Sequence, residues 1–265
     1  MENLPSQDKI YITNQEQIDF YLQSNKIKKL TFTCISDTHN KQYKISKVPE
    51  SDVLIHSGDF SLRGTIKEVE EFIQFLDLQP HPIKIVVAGN HDMSLDILNF
   101  ENLKYRMVGS NTTIEDAKQV KKKLMEHCVY LQEQSVNVGG YNIYGSPWTP
   151  EFHNWGFMYD PKNAKEIWDK IPDKTDILIT HGPPKEILDK CINQQNAGCP
   201  ELKNQVLNRV KPLYHIFGHI HESYGQQIIE NTTFINACTV NIAYRVQNKP
   251  IQFKLENKIQ QGQQK

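Results

Sequence analysis

Apolar positions along this chain follow two rhythms. Nearly continuous apolar runs, rich in Ile, Val, Phe and Thr, occupy 30–36, 53–56, 83–88, 177–180 and 213–217. They predict strands, and the third, apolar except for Lys84, reads as a strand covered on both faces in a parallel sheet. Elsewhere apolar residues recur every three or four positions. Ile66, Val69, Phe72, Ile73 and Leu76 do so behind Thr65-Ile-Lys-Glu68, a capping box that opens a helix. Thr113-Ile-Glu-Asp116 starts a second helix, running to about His127. Asp160-Pro161, an N-cap followed by proline, opens a third through Trp168. Pro183-Pro184 predicts a short helix to Lys190, Pro200 another to about Val210, and 15–22 one ahead of the first strand. Two alternating runs about Gly139-Gly140 predict a hairpin over 136–144. Further strands are expected at 227–229, 232–235 and 251–255.

The early alternation of strand and helix argues for parallel strands joined by right-handed crossovers; the hairpin and closing strands argue for antiparallel pieces. The expected class is α/β, mixed β-sheets with helices outside, in one domain over 30–256. Residues 1–29 are expected to form a polar N-terminal extension, and the Gln- and Lys-rich 257–265 a flexible tail. The 265 residues are 38% hydrophobic, enough to supply a core. With 30 Lys and Arg against 31 Asp and Glu the net charge is −1, which argues against general nucleic-acid or membrane-surface binding. Five scattered cysteines without a Cys-x-x-Cys pair fit buried thiols in a reducing compartment better than disulfides or a zinc knuckle. No apolar run approaches the ~20 residues of a membrane span, and 1–17 has no signal-peptide core, so a soluble, cytoplasmic protein is expected.

Candidate chemistry changes the picture most. The five apolar runs lead into Asp37-Thr38-His39, Gly58-Asp59, Gly89-Asn90-His91-Asp92, His181 and Gly218-His219-Ile220-His221. In open α/β sheets ligands bind outside the carboxyl ends of the strands, which is where these residues fall. A polar strand end explains any one of them; five alike point to a shared metal site. The other histidines (His56, His81, His127, His153 and His215) read as structural, with His56 and His215 hydrogen-bonding inside strands. Asp37, His39, Asp59, Asn90, His181, His219 and His221 offer carboxylate, imidazole and amide but no thiolate, a set suited to manganese, iron or zinc. They are too many for one tetrahedral ion and suit two divalent ions sharing a carboxylate. Two ions ~3.5–4 Å apart can hold a bridging hydroxide as nucleophile and clamp a phosphoryl oxygen.

In this order the five blocks resemble the signature of the calcineurin-like metallophosphoesterases, over about 30–255. The wording Cys34-Ile-Ser-Asp-Thr-His39, Gly145-Ser-Pro-Trp-Thr-Pro150, Asn154-Trp-Gly-Phe157 and Thr180-His-Gly-Pro-Pro184 is similar to the branch of metallophosphoesterase-domain-containing proteins first known from fetal brain. The resemblance implies two facing mixed β-sheets flanked by helices, a four-layer sandwich. It also implies that Asp37, His39 and His221 hold one metal ion, Asn90, His181 and His219 the second, and that Asp59 bridges them. Manganese is the first expectation, with iron, zinc or magnesium as alternatives. His91 would stand over the substrate, stabilising the transition state or protonating the leaving oxygen; Asp92 would orient His91 or cap the next helix. Some relatives in that branch carry Gly in place of the first histidine of Gly-His-x-His, which weakens the second metal site; this chain keeps His219.

The Gly-Asp-x-Val-Asp-Arg-Gly block of Ser/Thr protein phosphatases reads here Gly58-Asp-Phe-Ser-Leu-Arg-Gly64, without the Asp before Arg, so that branch is not expected. Arg63 would reach a phosphate or stay solvated. Trp148, Phe152, Trp155 and Phe157 would stack on a nucleobase or pack over the hairpin. The resemblance implies hydrolysis of small phosphodiesters, cyclic nucleotides foremost. A phosphomonoesterase of the same fold and a weakly active metal-binding scaffold are the alternatives. A nuclease would require a basic groove or an added DNA-binding domain, and neither is visible.

Overall fold

The computed structural model describes residues 11–107 and 111–261. The first half of the chain runs α1 (Gln15–Ser24), β1 (Lys29–Ile35), β2 (Val53–Ser57), α2 (Ile66–Leu78), β3 (Ile83–Val87), α3 (Phe100–Leu103), α4 (Ile114–Met125) and β4 (Val129–Tyr130). The second half runs β5 (Gln134–Val138), β6 (Tyr141–Ser146), β7 (Thr149–Pro150), β8 (Met158–Tyr159), α5 (Ala164–Trp168), β9 (Ile177–Thr180), α6 (Pro200–Asn204) and β10 (Tyr214–Phe217). It closes with β11 (Gly225–Ile229), β12 (Thr232–Asn236), β13 (Ile251–Glu256) and α7 (Lys258–Gln261).

Two mixed sheets face each other. The first has the order β13-β1-β2-β3-β4, with β1 to β4 parallel and β13 antiparallel on β1. The second has the order β11-β12-β10-β9-β6-β5, parallel inside and antiparallel at both edges. Side chains alternate faces along a strand, and both faces here are covered. Val53 and Ile55 of β2 lie in the layer between the sheets, while Leu54 points out against Phe72 and Leu76 of α2 and Leu124 of α4. In β9, Ile177 and Ile179 lie in the middle layer and Leu178 meets Trp168 and Leu202 outside. This is why the interior strands read as unbroken apolar runs, and it makes the fold four layers: helices, sheet, sheet, helices.

The two capping boxes form as the sequence predicts. Thr65 and Glu68 exchange side-chain to backbone hydrogen bonds, as do Thr113 and Asp116, each cap contributing ~1 kcal/mol. The helix expected from Pro183 to Lys190 does not form. Glu186 and Leu188 take φ of 66° and 48°, which no right-handed helix admits. Pro184 and Lys190 instead pair with Cys199 and Asn196. The helix from Pro200 continues as a π-helix over Gln205–Val210 and stops at left-handed Lys211.

The chain ends also differ from expectation. Helix α1 buries Ile18 and Leu22 in the middle layer, and Ile12 pairs with Ile83, so these three side chains of the N-terminal stretch join the core; residues 1–10 lie outside the described residues. The expected flexible tail is ordered through Gln261. Asn257 is buried and bonds Ile27 O and Lys28 O (2.7 and 2.8 Å), and Lys258 N–H donates to Gly139 O. Residues 262–265 lie outside the described residues. Among the described residues no helix is long and apolar enough to cross a membrane.

Candidate metal centre

The loops after β1, β2 and β3 meet those after β9 and β10 at one end of the middle layer. Main-chain bonds splice the first two loops: Asp37 N–H donates to Gly58 O, His39 N–H to Asp59 O and Asn40 N–H to Phe60 O, at 2.9 to 3.0 Å. This path requires left-handed backbone at Asp37, His39, Asn40 and Asp59 (φ 50°, 41°, 58° and 56°), and His219 has φ 68°. Such angles cost ~1–3 kcal/mol at non-glycine residues and cluster at functional sites; four of these five are predicted ligands. Gly218 leaves room for a close approach, since a Cβ there would lie 1.9 Å from Asp37 Oδ2.

Backbone carbonyls orient the imidazoles. Nδ1 of His39 faces Ser61 O at 3.1 Å, that of His181 faces Ser57 O at 3.0 Å, that of His221 faces Asn241 O at 3.3 Å and that of His91 faces Leu62 O at 2.8 Å. With Nδ1–H donating to a carbonyl, each ring turns Nε2 into the cluster, the arrangement usual for metal-binding histidines. His39 Nε2 and His221 Nε2 stand 3.2 Å apart, and two lone pairs that close repel unless a cation or proton lies between them. Asp37 Oδ1, 3.3 Å from His221 Nε2, is buried and accepts no hydrogen bond among the described residues. Its partner oxygen receives His219 N–H at 2.9 Å and Cys238 Sγ–H at 3.1 Å.

Asp59 sits at the middle. His91 N–H occupies Oδ1 at 2.8 Å, and Oδ2 faces Nε2 of His181, His39 and His91 at 3.3, 3.7 and 4.0 Å. Asn90 Oδ1 lies 2.9 Å from His181 Nε2. Ligand atoms of Asp37, His39 and His221 fall within 4.8 Å of one another, as do those of Asp59, His181 and His219 and those of His39, Asp59 and His91. All seven predicted donors are therefore brought together. The orphaned Asp37 oxygen, the facing imidazole lone pairs and the absence of thiolate from the donor groups fit hard-to-borderline divalent ions. Cys238 acts as a donor instead: burial and then Asp37 push its thiol well above the ordinary range.

Electrostatics divides the histidines. Burial pulls His181 down, but the Asp59 carboxylate outweighs it and lifts the ring to about 9. Burial likewise opposes His221, whose contact with Asp37 leaves it raised. Burial wins at His39, down to about 3 despite Asp59, and at His219, down to about 4 with His181 reinforcing it. Burial alone would raise both carboxyls; the imidazoles around them hold Asp37 and Asp59 well below the usual range.

Asp92 takes neither of its expected parts. Oδ2 accepts the N–H groups of Gly89 and Asp59 at 2.8 and 2.9 Å, and Oδ1 accepts the Ser61 N–H and hydroxyl at 3.0 and 2.6 Å. It bonds neither the His91 ring nor the turn after it; it fastens the β2 and β3 loops together. Burial and the Asp59 charge raise its carboxyl to about 7 against those donors. Trp155 stacks on His91 with centroids 4.1 Å apart, and Arg63 and Arg106 lie 5.7 and 4.3 Å from the Trp155 centroid. Trp148 packs edge-on to Phe157 against both outer apolar layers, and Phe152 is exposed. His56 and His215 bond Thr38 and Thr180 inside the core.

Ser61, Cys238, Asn241 and Tyr244 escape the sequence reading. Ser61 lies inside the Gly58–Gly64 block, a signal that could have found it; the other three follow β12, where no period or motif marks them.

A family model described as calcineurin-like phosphoesterase matches residues 30–223. Metallophosphoesterase domain-containing protein 1 of Homo sapiens and that of Mus musculus are each 43% identical over 227 residues, 83% of this chain and 69% of the relative. UPF0046 protein C25E10.12 of Caenorhabditis elegans is 37% identical over 255 residues, 90% of this chain and 84% of its own. Five strand ends that gather carboxylates and imidazoles around Asp59, together with these matches, mean that the chain belongs to the calcineurin-like phosphoesterase family of metal-dependent phosphoric ester hydrolases.

Proposed function

We propose that this chain is a phosphodiesterase acting on small phosphodiesters, cyclic nucleotides foremost, with two divalent ions of which manganese is the first choice. The observation that carries the reading is Asp59 Oδ2, one oxygen facing three imidazoles within 4.0 Å, because a pair of ions needs a shared ligand between two donor groups. Asp37, His39 and His221 would hold one ion, Asn90, His181 and His219 the other. Bound there, the ions would supply Lewis acidity and a water-derived nucleophile at neutral pH.

The chain's own residues position and move the proton. His91 keeps Nδ1–H on Leu62 O and turns Nε2 towards Asp59 Oδ2, 4.0 Å away. A proton held at Nε2 passes to the leaving oxygen as the P–O bond breaks. Trp155 fixes the plane of the ring by stacking on it. Arg63 is exposed beside Trp155 and offers one positive charge to the phosphoryl group. One guanidinium and an aromatic rim suit a singly charged diester better than a dianionic monoester. A phosphomonoesterase is the second reading, because Arg106 on the same indole would add a second positive charge.

The test is to strip the protein with chelator and assay bis(4-nitrophenyl) phosphate and 4-nitrophenyl phosphate in parallel, with and without Mn²⁺. Restored turnover with the diester faster is the expected result. A faster monoester overturns the diester reading, and no restored turnover on either overturns hydrolysis of both classes.

A further inference from the structure

We propose that Tyr244 is a specificity-determining residue whose ring is the wall on which a planar organic group of the phosphoester stacks. The inference rests on the phosphoester reading above and names the substrate feature that site selects. The Tyr244 centroid lies 4.8 Å from that of His39, 5.4 Å from His221 and 6.5 Å from His91. The ring therefore meets two candidate ligands of one ion and the candidate proton donor. It remains 38% exposed, and its hydroxyl has no hydrogen-bond partner among the described residues. A tyrosine kept for packing would bury its ring and tie its hydroxyl; this one lays part of its ring on imidazoles and leaves the rest open to solvent.

The backbone holds it there against its own preference. Tyr244 has φ 55°, a left-handed angle at which a bulky residue is strained and glycine is the default. Asn241 enforces the turn. Its Oδ1 accepts the N–H groups of Ala243 and Arg245 at 2.9 and 3.2 Å, its N–H donates to Arg245 O, and its carbonyl accepts Tyr244 N–H at 2.8 Å. The same carbonyl faces His221 Nδ1 at 3.3 Å. One residue thus sets both the orientation of a candidate ligand and the loop that carries Tyr244, so the ring keeps register with the metal centre. Trp155, stacked on His91, is the second ring beside the centre, with Arg63 near it for the phosphoryl charge.

Stacking of one ring on another changes affinity by about tenfold at most for an exposed pair. The test is calorimetric titration of the Mn²⁺-saturated protein with phenylphosphonate and methylphosphonate, which share a phosphoryl head and have no ester bond to hydrolyse. Wild type is expected to bind phenylphosphonate about five- to tenfold more tightly. Tyr244→Phe should keep that ratio. Tyr244→Gly, which removes the ring without adding strain, should bring it within about twofold of parity while melting no lower than wild type. No preference in wild type, or a preference that survives in Tyr244→Gly, overturns the proposal. Binding needs no turnover, so this outcome is separate from the Mn²⁺-dependent hydrolysis that decides the phosphoester reading.

Discussion

The two sheets bring unlike chemistry to the same place. Loops of the first sheet deliver both carboxylates, Asp37 and Asp59, with Asn90 and the imidazoles of His39 and His91. Those of the second deliver imidazoles alone, His181, His219 and His221. The protonation pattern follows carboxylate contact within that division, since His219, also on the second sheet, falls to about 4. His181 and His221, each against a carboxylate of the opposite sheet, are raised despite burial; His39, on the carboxylates' own sheet, falls to about 3. Neither set is a site alone. Separated, the first sheet would hold two buried acids without counter-charge, and an uncompensated buried charge costs several kcal/mol. The lesson is that docking of the sheets and assembly of the centre are one event.

The sharpest way to break the comparison is at Asp59 Oδ2, the oxygen proposed to be shared. Asp59→Ala should lose both ions, measured by metal analysis after dialysis, together with Mn²⁺-dependent turnover. The drop should exceed the roughly 10–100-fold that loss of a supporting group costs. A variant retaining two ions would refute the shared role. His91→Gln should separate binding from chemistry: two ions retained, turnover lower by about 10²–10⁴-fold. Loss of an ion in that variant would move His91 into the ligand set.

Smaller effects distinguish the halves. His219→Gly removes one donor of the second sheet and should lower the stoichiometry from two ions towards one. The ion kept should be the one by Asp37, whose side holds an additional carboxylate where the other uses neutral Asn90. Competition with a graded chelator reads this, and simultaneous loss of both ions would contradict it.

The smallest effect is in pH dependence and lies within the second sheet. In metal-free protein His181 is raised to about 9, so its stabilisation is fully present below pH ~6.5 and is lost as pH rises towards 9. His215, which among the described residues bonds only Thr180, is lowered to about 3 by burial. Its contribution is present above pH ~6.5 and is lost as pH falls towards 3. Denaturant melts across pH should show His181→Gln flattening the alkaline limb and His215→Gln the acid limb, each by up to about 1.4 kcal/mol per pH unit. Parallel profiles for both variants would contradict the assignment.

Much of the centre was legible because interior strands leave few places for charge. A run such as 83–87, covered on both faces and apolar except for Lys84, leaves most polar chemistry to its end, so Asn90 to Asp92 stand out beside it. Asp92 illustrates where legibility stops. Its position was visible, but four donors from Gly89, Asp59 and Ser61 claim its oxygens, and two of these residues lie on the neighbouring loop. The failed helix after Pro183 has the same cause, since pairing with 196–199 overrides a local helix start. Tyr244 carries no local signal at all: its meaning is contact with a histidine in the loop after β1.

By itself the sequence determined the strand order of chemistry, the two capped helices and the seven polar side chains that follow the strand ends, because burial and period are properties of neighbouring residues. Tertiary structure alone decided which oxygen of Asp59 is free, which imidazoles carry protons, that Trp155 and not Trp148 reaches His91, and that Cys238 and Tyr244 join the centre. Those depend on distances across two docked sheets, with partners such as Cys238 and Asp37 some 201 residues apart, and no local pattern encodes a contact of that range.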